Sequence, residues 1–511
     1  MRVVHPFRAA AVAAALAWAV PVHARAQANE TWYPYAAPQV ISSDPATHFL
    51  NATVKTAPSV VTLNGVRYPA NLYAGTLFPP VLKLEPGDSM RVLLVNAMDT
   101  TAGQLTNLHF HGFAVSPVQP SDDVVHIHVP RDSSYTYRIH LPADHAQGLF
   151  WYHPHSHGDS YNQVKAGMSG AISIGDPRRS FPEFLHTPEI YLLLKFFQPD
   201  NVTEITTVNG VPRVELPQMR QGEAQFWRVG NITAERYYRL RLVGPAGDSV
   251  PFQVLARDGN VVADGPPVMT DLVLLGAGQR LEMVVQGTQP GYYTLVATDF
   301  LRQSSVPDPR NPQLVDSAAV LARVKVNAVP NYRAAVAAAR RGGNAAEARV
   351  IRAITAPTGP VVRDSVDFEV VRSDSLPVSY PIDHAVYDAD SIVKRFALGT
   401  TYVWRITNSS QSWHTFHIHQ TDFVVDSVGG EAKSPDYRLD TVSVPPCTQF
   451  EADKVTCSPG HKGVAVIRFL YDHEYLAGEF VFHCHMLFHQ DNGMMANVLL
   501  GPPGAAHAHR H

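Results

Sequence analysis

A glycine followed nine positions later by an asparagine occurs three times, and this repeat constrains the fold more than any other feature. Apolar residues alternate with polar ones between the two ends of each repeat. Alternation with period two between turn-forming residues is typical of a β-strand with one buried face. Three copies of one strand pattern indicate three related β domains. The segments are LEPGDSMRVLLVNA (84–97), MRQGEAQFWRVGNI (219–232) and FALGTTYVWRITNS (396–409).

The composition agrees with an all-β chain. The 40 prolines and 33 glycines are spread over 511 residues, which favours short strands and turns over long helices. We therefore expect three Greek-key β-sandwich or barrel domains. The predicted order is a domain at 27–176, a domain at 177–330, an alanine- and arginine-rich linker at 331–360, a domain at 361–502 and a histidine-containing tail at 503–511.

The first 26 residues have the pattern of a secretory signal peptide. Arg2 and Arg8 precede a short apolar run at 9–20, and an A-x-A cleavage site follows at 24–26. The run is shorter than the ~20 residues that span a bilayer. We predict an exported protein, periplasmic or secreted, with no membrane contact. The formal net charge of −4 also gives no basic surface for nucleic acid.

Export affects how the cysteines are interpreted. Cys447 and Cys457 bracket a turn-rich loop, so we expect a disulfide in an oxidising compartment, with a metal-binding pair as the alternative. Cys484 then remains as an unpaired thiol. It lies in VFHCHMLFHQDNGMM (481–495), where histidine and methionine, two further metal-ligand types, crowd around it.

Four His-x-His pairs occur in the first and third predicted domains. Residues two apart on a strand point to the same face with Cα atoms roughly 6.5–7 Å apart, which suits ligands of neighbouring ions. The pairs predict a cluster of several metal ions where these two domains meet. The second domain, which has no such pair, is expected to be a spacer. The pairs are His109/His111, His153/His155, His417/His419 and His483/His485.

If the two histidines beside Cys484 face this cluster, Cys484 faces the opposite side of its strand. There it can join three further side chains, namely His414, His489 and Met494. Two imidazoles, a thiolate and a weaker thioether are typical of an electron-transfer copper. Zinc also binds histidine and cysteine, but the methionine and the bridging position of Cys484 favour redox-active copper.

These motifs resemble those of three-domain multicopper oxidases of the laccase and copper-efflux-oxidase type, over almost the whole chain. The resemblance implies cupredoxin-like domains, four copper ions, and oxidation of a substrate coupled to reduction of dioxygen to water. The implied type 1 ligands are His414, Cys484, His489 and Met494, and the implied type 2 ligands are His109 and His417. The implied ligands of the type 3 pair are His111, His153, His155, His419, His483 and His485.

Dioxygen reduction consumes protons, so a carboxylate is expected near the cluster. Asp122 and Asp123 follow the first motif and are the candidates, although either could simply cap a turn. In the efflux-oxidase branch an acid often follows the second type 1 histidine, where this chain has Gln490. Thr415 replaces the usual proline after the first type 1 histidine, and His157 is predicted not to bind copper.

The sequence favours a phenol or an aromatic amine as the electron donor. A cuprous or ferrous ion is the alternative, but no methionine-rich insert is present, and Asp422 and Asp491 are interpreted as ordinary surface residues. A copper nitrite reductase would have two domains and fewer histidines. A non-catalytic copper-binding protein would bind the metal without consuming oxygen, so oxygen uptake distinguishes it.

Overall fold

The computed structural model describes residues 31–63, 65–99, 105–198, 203–262, 267–303, 314–330, 359–372, 377–433 and 438–502. The predicted signal peptide, most of the predicted linker and the C-terminal tail lie outside these residues. Nearly all regular structure in the described ranges is β-strand, which confirms the all-β prediction. None of the helices in those ranges is long and apolar enough to cross a membrane.

The N-terminal part forms two sheets that pack around one core, which includes Leu50, Val92 and Ile172. Its elements are β1 (Tyr33–Pro34), β2 (Val40–Ser42), β3 (Phe49–Leu63), β4 (Val66–Tyr73), β5 (Val81–Leu84), β6 (Ser89–Asn96), β7 (Leu105–Thr106), β8 (His109–His111), β9 (Val129–Pro130), β10 (Ser133–His140), β11 (Gly148–His153), α1 (Ser160–Lys165) and β12 (Gly170–Ile174). The sheet orders are β10-β6-β3-β4 and β2-β5-β12-β11-β8, and β7 pairs with β9. Strand β1 leaves this unit and joins the middle part of the chain.

The middle part repeats the two-sheet plan around a core that includes Trp227, Leu240 and Val324. Two 3₁₀ turns (Pro177–Ser180 and Pro182–Phe184) precede its strands. These are β13 (Glu189–Phe197), β14 (Ile205–Val208), β15 (Val214–Arg220), β16 (Ala224–Asn231), β17 (Tyr238–Val243), β18 (Phe252–Arg257), β19 (Asn260–Val261), β20 (Val268–Thr270), β21 (Leu272–Leu275), β22 (Arg280–Gln286), β23 (Gly291–Thr298), β24 (Phe300–Leu301), β25 (Val315–Asp316) and β26 (Ala319–Asn327). The sheet orders are β1-β15-β26-β23-β17-β21 and β14-β13-β16-β22-β18-β19, with β20 beside β18 and a separate β24-β25 pair.

The C-terminal part is the third two-sheet unit, with a core that includes Trp404, Phe416 and Phe482. Its elements are β27 (Val361–Phe368), β28 (Ile392–Ala397), β29 (Thr401–Asn408), β30 (His414–Ile418), β31 (Phe423–Val428), β32 (Glu431–Ala432), β33 (Arg438–Leu439), β34 (Thr441–Val444), β35 (Gly463–Leu470), a 3₁₀ turn (Glu474–Leu476), β36 (Gly478–Cys484), α2 (Leu487–Asp491) and β37 (Met495–Gly501). The sheet orders are β27-β29-β35-β31-β32, with β33 beside β31, and β28-β37-β36-β30-β34. Cys447 and Cys457 form a disulfide, as the sequence predicts.

The repeated asparagine has the same role in all three units. It is the last residue of β6, β16 and β29, and in each case it is buried. The side-chain amide of Asn96 donates to the backbone carbonyl of Val129, that of Asn231 to the carbonyl of Leu275, and that of Asn408 to the carbonyl of Pro445, each distant in sequence. A buried amide that satisfies a backbone carbonyl distant in sequence holds the end of its strand against that neighbouring segment. The repeat thus records a shared structural element.

Candidate metal centre

Two pairs of adjacent strands carry the histidine motifs. Strand β8 is antiparallel to β11, so that His109 lies opposite His153. Strand β30 is antiparallel to β36, so that His417 lies opposite His483. One pair belongs to the N-terminal unit and the other to the C-terminal unit, and their ends meet. The other four imidazoles come from His111 and from three residues just past strand ends, His155, His419 and His485.

These eight imidazoles, which we call the histidine cluster, are all buried and interleave across the junction of the two units. The ring of His109 stacks on that of His419 with the centroids 3.9 Å apart. The ring of His111 stacks on that of His417 at 4.0 Å. Each stack joins one ring from the N-terminal unit to one from the C-terminal unit, so neither unit holds the cluster alone.

The inward nitrogen atoms of the cluster fit metal ions. The Nε2 atoms of His155 and His419 lie 3.1 and 3.3 Å from Nε2 of His483. Burial, reinforced by neighbouring imidazoles, lowers the pKa of the cluster histidines, so the rings are neutral and offer lone pairs. Buried nitrogens without partners are costly unless a ligand satisfies them. Within the described residues, no hydrogen-bond partner reaches Nε2 of His109, His111, His153 and His417 or either ring nitrogen of His485.

The outward Nδ1 atoms fix which nitrogen faces inward. Nδ1 of His153 donates to the carbonyl of Pro154 at 2.9 Å, and Nδ1 of His417 donates to the carbonyl of Asp440 at 2.6 Å. Nδ1 of His483 likewise donates to a backbone carbonyl at 3.1 Å. An imidazole whose Nδ1 carries the proton presents its Nε2 lone pair, which is the usual outer support of a metal-binding histidine.

Asp122 contacts the cluster directly. Its carboxylate accepts a hydrogen bond from Nδ1 of His109 at 3.0 Å, from the amide of Phe110 at 3.1 Å and from the side chain of Gln420 at 3.2 Å. Burial raises the pKa of Asp122 well above its usual range, while the hydrogen bonds from Phe110 and Gln420 act in the opposite direction. This carboxyl group can therefore hold a proton beside the cluster.

Asp123 has a different surrounding. Its Oδ1 atom accepts the backbone N–H groups of Val125 and His126 at 3.1 and 2.9 Å, and it also contacts the ring of His126. These are the hydrogen bonds of a turn, which is the alternative that the sequence left open for both acids. His157, two residues beyond His155, contacts the ring of Tyr387 in a tilted arrangement outside the cluster, with the centroids 4.5 Å apart.

Cys484 lies on the other face of β36, in a second group formed with His414 and His489. Its Sγ atom lies 3.4 Å from Nδ1 of His414 and 3.7 Å from Nδ1 of His489, and these two nitrogens are 3.1 Å apart. Ser410 contacts Nε2 of His414 at 2.8 Å and holds that ring. Met494 is buried and its carbonyl accepts the amide N–H of Cys484 at 3.0 Å.

Burial raises the pKa of the Cys484 thiol to about 12 and lowers the pKa of His414 to about 3. In the absence of a cation, the thiol is therefore protonated and the imidazole neutral at pH 7. A metal ion that binds here displaces the thiol proton and pairs with the thiolate. Three soft or borderline donors within one small buried space fit a copper ion.

The middle unit does more than separate the other two. Nη1 of Arg280 lies 3.3 Å from Nδ1 of His111, and the guanidinium donates to the carboxylate of Asp440 at 2.8 and 2.6 Å. A Cβ atom on Gly278 would lie 3.1 Å from the ring of His485. Neither Arg280 nor Asp440 belongs to a histidine motif, and no signal in the single sequence connects them to the cluster.

Asp491 is not an ordinary surface residue, which corrects the expectation from sequence. Its two carboxylate oxygens accept the amide N–H groups of Gly158 and Tyr161 at 3.2 and 2.7 Å. Burial raises the pKa of Asp491 to about 7. Asp422 is also half-buried, but its partner is a charged side chain, that of Arg438 at 3.4 Å.

Comparison with known proteins agrees with this arrangement. Two family models, both described as multicopper oxidase, match residues 55–179 and 357–504, which together make up over half of the chain. A multicopper oxidase of Staphylococcus aureus is 24% identical over 439 residues, or 83% of each chain. A laccase of Haloferax volcanii is 26% identical over 441 residues, or 79% of this chain and 68% of the laccase.

A solved structure shares the fold. A multicopper oxidase of Campylobacter jejuni, described as a metallo-oxidase, superimposes with a TM-score of 0.70 at 21% identity and covers 92% of this chain and 96% of its own. The fold and the family matches define an oxidoreductase that uses oxygen. The chain belongs to the multicopper oxidase family, which implies copper as its cofactor and a reducing substrate as its second reactant.

Proposed function

We propose that this protein oxidises phenols and aromatic amines by one electron at a type 1 copper and reduces dioxygen to water at a trinuclear copper cluster. The type 1 ligands would be His414, Cys484, His489 and Met494. The type 2 ligands would be His109 and His417. The type 3 ligands would be His111, His153, His155, His419, His483 and His485.

The position of Cys484 carries this proposal. Its thiol contacts His414 and His489, while the residues on either side of it, His483 and His485, both belong to the histidine cluster. The two groups are therefore joined through single peptide units of β36. A hydrolytic or purely structural metal site gains nothing from such a covalent connection, whereas a short covalent path favours electron transfer between two centres.

The reaction balances four one-electron oxidations against one dioxygen. Four donor molecules lose four electrons, and one dioxygen takes up these electrons and four protons to give two waters. When bound, the copper ions would accept single electrons and deliver them to dioxygen. The chain itself buries all eight cluster imidazoles, which shields them from bulk water.

Asp122 is the residue that we propose as the proton-relay acid. It is the acid of the Asp122–Asp123 pair that contacts a cluster imidazole, at 3.0 Å from Nδ1 of His109. A buried carboxyl group whose pKa is raised is able to donate a proton near neutral pH. Gln490 is fully buried, and its amide cannot release a proton as a carboxyl group at that position would.

The surroundings of His489 support an aromatic donor. This half-buried ring stacks on Tyr380 with the centroids 4.3 Å apart, and the exposed ring of Phe488 directly precedes it in the chain. Phe488 also contacts Tyr161, at 5.3 Å. Aromatic side chains at this edge offer a stacking surface to a phenol or an aniline next to the histidine that would receive its electron.

A metal-ion donor is the second candidate, because relatives include an iron transport multicopper oxidase of Kluyveromyces lactis that is 23% identical. The charges near His489 oppose it in this chain. Burial and the neighbouring His414 are the main causes that lower the pKa of His489, and the positive charges of Arg302 and Arg372 lower it further. The carboxylate of Glu235 already accepts a hydrogen bond from the hydroxyl group of Tyr161 at 3.0 Å, so it is not left over as a ligand for a metal-ion donor.

The test is the visible spectrum of the copper-loaded protein, with oxygen uptake followed in the same cuvette. A blue absorption that bleaches on adding a phenol without oxygen, and returns with oxygen, is expected. Cys484→Ser should abolish the colour, while Cys447→Ser with Cys457→Ser should retain it. If the blue protein consumes oxygen with ferrous or cuprous ions but not with phenols, the donor is a metal ion and the aromatic donor is wrong. A colourless copper-loaded protein would refute the type 1 assignment.

Export is part of the same proposal. The signal-peptide pattern at 1–26 and the Cys447–Cys457 disulfide both support a location outside the cytoplasm, since disulfides persist in oxidising compartments. Fractionation of cells that express the full chain, with N-terminal sequencing of the product, tests it. A mature protein starting near residue 27 is expected outside the cytoplasm. An unprocessed cytoplasmic product would contradict export.

A further inference from the structure

The loop that enters β22 of the middle unit lies against the histidine cluster. Its sequence, GAGQR (276–280), puts Gly278 under the ring of His485, where a Cβ atom would be 3.1 Å from that ring. The side chain of Gln279 donates to the carbonyl of Thr441 at 2.9 Å. The last residue of the loop, Arg280, is fully buried and reaches both of the other units.

Arg280 joins the three units through separate N–H groups. Its Nε donates to the carbonyl of Leu149 at 2.9 Å, on the strand that carries His153. Its two terminal nitrogens donate to the two carboxylate oxygens of Asp440 at 2.8 and 2.6 Å. A planar guanidinium fork satisfies a carboxylate with two parallel hydrogen bonds, which a single ammonium group cannot do.

Asp440, in turn, contacts one cluster imidazole from each outer unit. Its backbone carbonyl accepts Nδ1 of His417 at 2.6 Å, and its carboxylate lies 3.7 Å from Nδ1 of His111. Thr441 donates to the same carboxylate at 2.7 Å. The orientation of two cluster rings therefore depends on how this one aspartate is held.

We infer that Arg280 is a positioning residue of the trinuclear site, which fixes His111 and His417 by holding Asp440. The inference rests on the proposed copper ligands. It assigns the middle unit a part in the geometry of the site, although that unit contributes no ligand. Outer-sphere partners of metal-binding histidines commonly change metal affinity about 10–100-fold when replaced, because the ring loses its fixed orientation.

The test compares two buried arginines of the middle unit, Arg280 and Arg228. Arg228 is equally buried and contacts Glu189 at 2.7 Å and Glu282 at 3.4 Å, but none of the proposed ligands. Arg280→Lys and Arg228→Lys each keep the charge and lose the fork. For each variant we would measure copper per chain, blue absorption, the fraction of bound copper seen by EPR, and the thermal midpoint.

Arg280→Lys is expected to keep the blue absorption of the Cys484 group, which shows that the chain is folded. Its cluster copper should be released to a competing chelator about 10–100-fold more readily, and the EPR-detected fraction should change. Arg228→Lys should lower the thermal midpoint but leave the copper signals at their wild-type values. Wild-type copper signals in Arg280→Lys would overturn the inference.

Asp440→Asn gives a second variant if Arg280→Lys does not fold, because it retains the backbone carbonyl to His417 and the side-chain volume. The same copper signature is expected, and unchanged copper signals would again overturn the inference. A wild-type protein that binds no copper beyond the Cys484 group would refute the proposed function itself. The two failures are therefore distinguishable.

Discussion

Replacing Gly112 with alanine would place a methyl group inside the contact between Arg280 and Asp440. Gly112 directly follows the cluster residue His111 and has φ of +86°. A Cβ atom there would overlap the Asp440 carboxylate and would lie 2.7 Å from Nη2 of Arg280 and 2.9 Å from the ring of Phe150. Because the ion pair is buried on every side, it has little room to move away.

The expected loss of stability in Gly112→Ala has two parts. A non-glycine residue in the left-handed region costs about 1–2 kcal/mol, and overpacking of a dense interior costs about 1–3 kcal/mol more. Gly87→Ala separates them, since Gly87 has φ of +87° and its added Cβ would only touch Ala143 at 3.8 Å. We expect about 2–5 kcal/mol of destabilisation for Gly112→Ala and only the first part for Gly87→Ala.

Differential scanning calorimetry of both variants and of wild type, with and without copper, measures this difference. Calorimetry is preferred because a chain of several domains need not unfold in one step. The midpoint of Gly112→Ala should fall clearly below that of Gly87→Ala, and only Gly112→Ala should lose cluster copper. Equal midpoints for the two variants would show that the ion pair yields freely and would refute the reasoning.

Three further predictions follow from particular side chains. Asp122→Asn should slow oxygen uptake per copper-loaded chain about 10²–10⁴-fold, whereas Asp123→Asn should remain near wild type; equal rates for the two would exclude the assignment. Replacing Cys447 and Cys457 with serine should lower the free energy of unfolding by about 3 kcal/mol, because the disulfide closes a loop between residues that are 10 positions apart. Denaturant unfolding measures this loss, and an unchanged midpoint would contradict it. Burial lowers the pKa of Lys195 to about 7 from 10.5. Between pH 7 and pH 10.5 the unfolded chain therefore binds a proton at this lysine that the folded chain lacks, and the free energy of unfolding should rise with pH across that range. In Lys195→Met this contribution to the pH dependence of the thermal midpoint should vanish.

The fold could be predicted because its signal is local. Alternating apolar residues between a glycine and an asparagine specify a strand wherever they occur, and β6, β16 and β29 end at the repeated asparagines Asn96, Asn231 and Asn408. The exception is β1, which lies within the first predicted domain yet pairs with Val214 of the middle unit. A strand of two residues carries no pattern from which its partner could be inferred.

The site was predictable only where chemistry is encoded by neighbours in sequence. The His-x-His pairs and Cys484 follow from strand alternation, since side chains one position apart face opposite sides. The choice between Asp122 and Asp123 depends on backbone geometry that adjacent positions cannot reveal. Arg280 and Asp440 are 160 positions apart and meet only in the folded chain, so neither is visible in a single sequence.

The histidine cluster also imposes an order of events on the synthesis of the protein. His155 and His483 face each other at 3.1 Å although 328 positions separate them in the chain. Closing so large a loop is slow compared with folding of each sandwich on its own. No complete cluster can form before the ribosome has passed His485, and a fragment that lacks one of the two outer units offers copper only four of the eight cluster histidines. Copper bound at a complete cluster therefore reports that the N-terminal and C-terminal units have both been made and have docked.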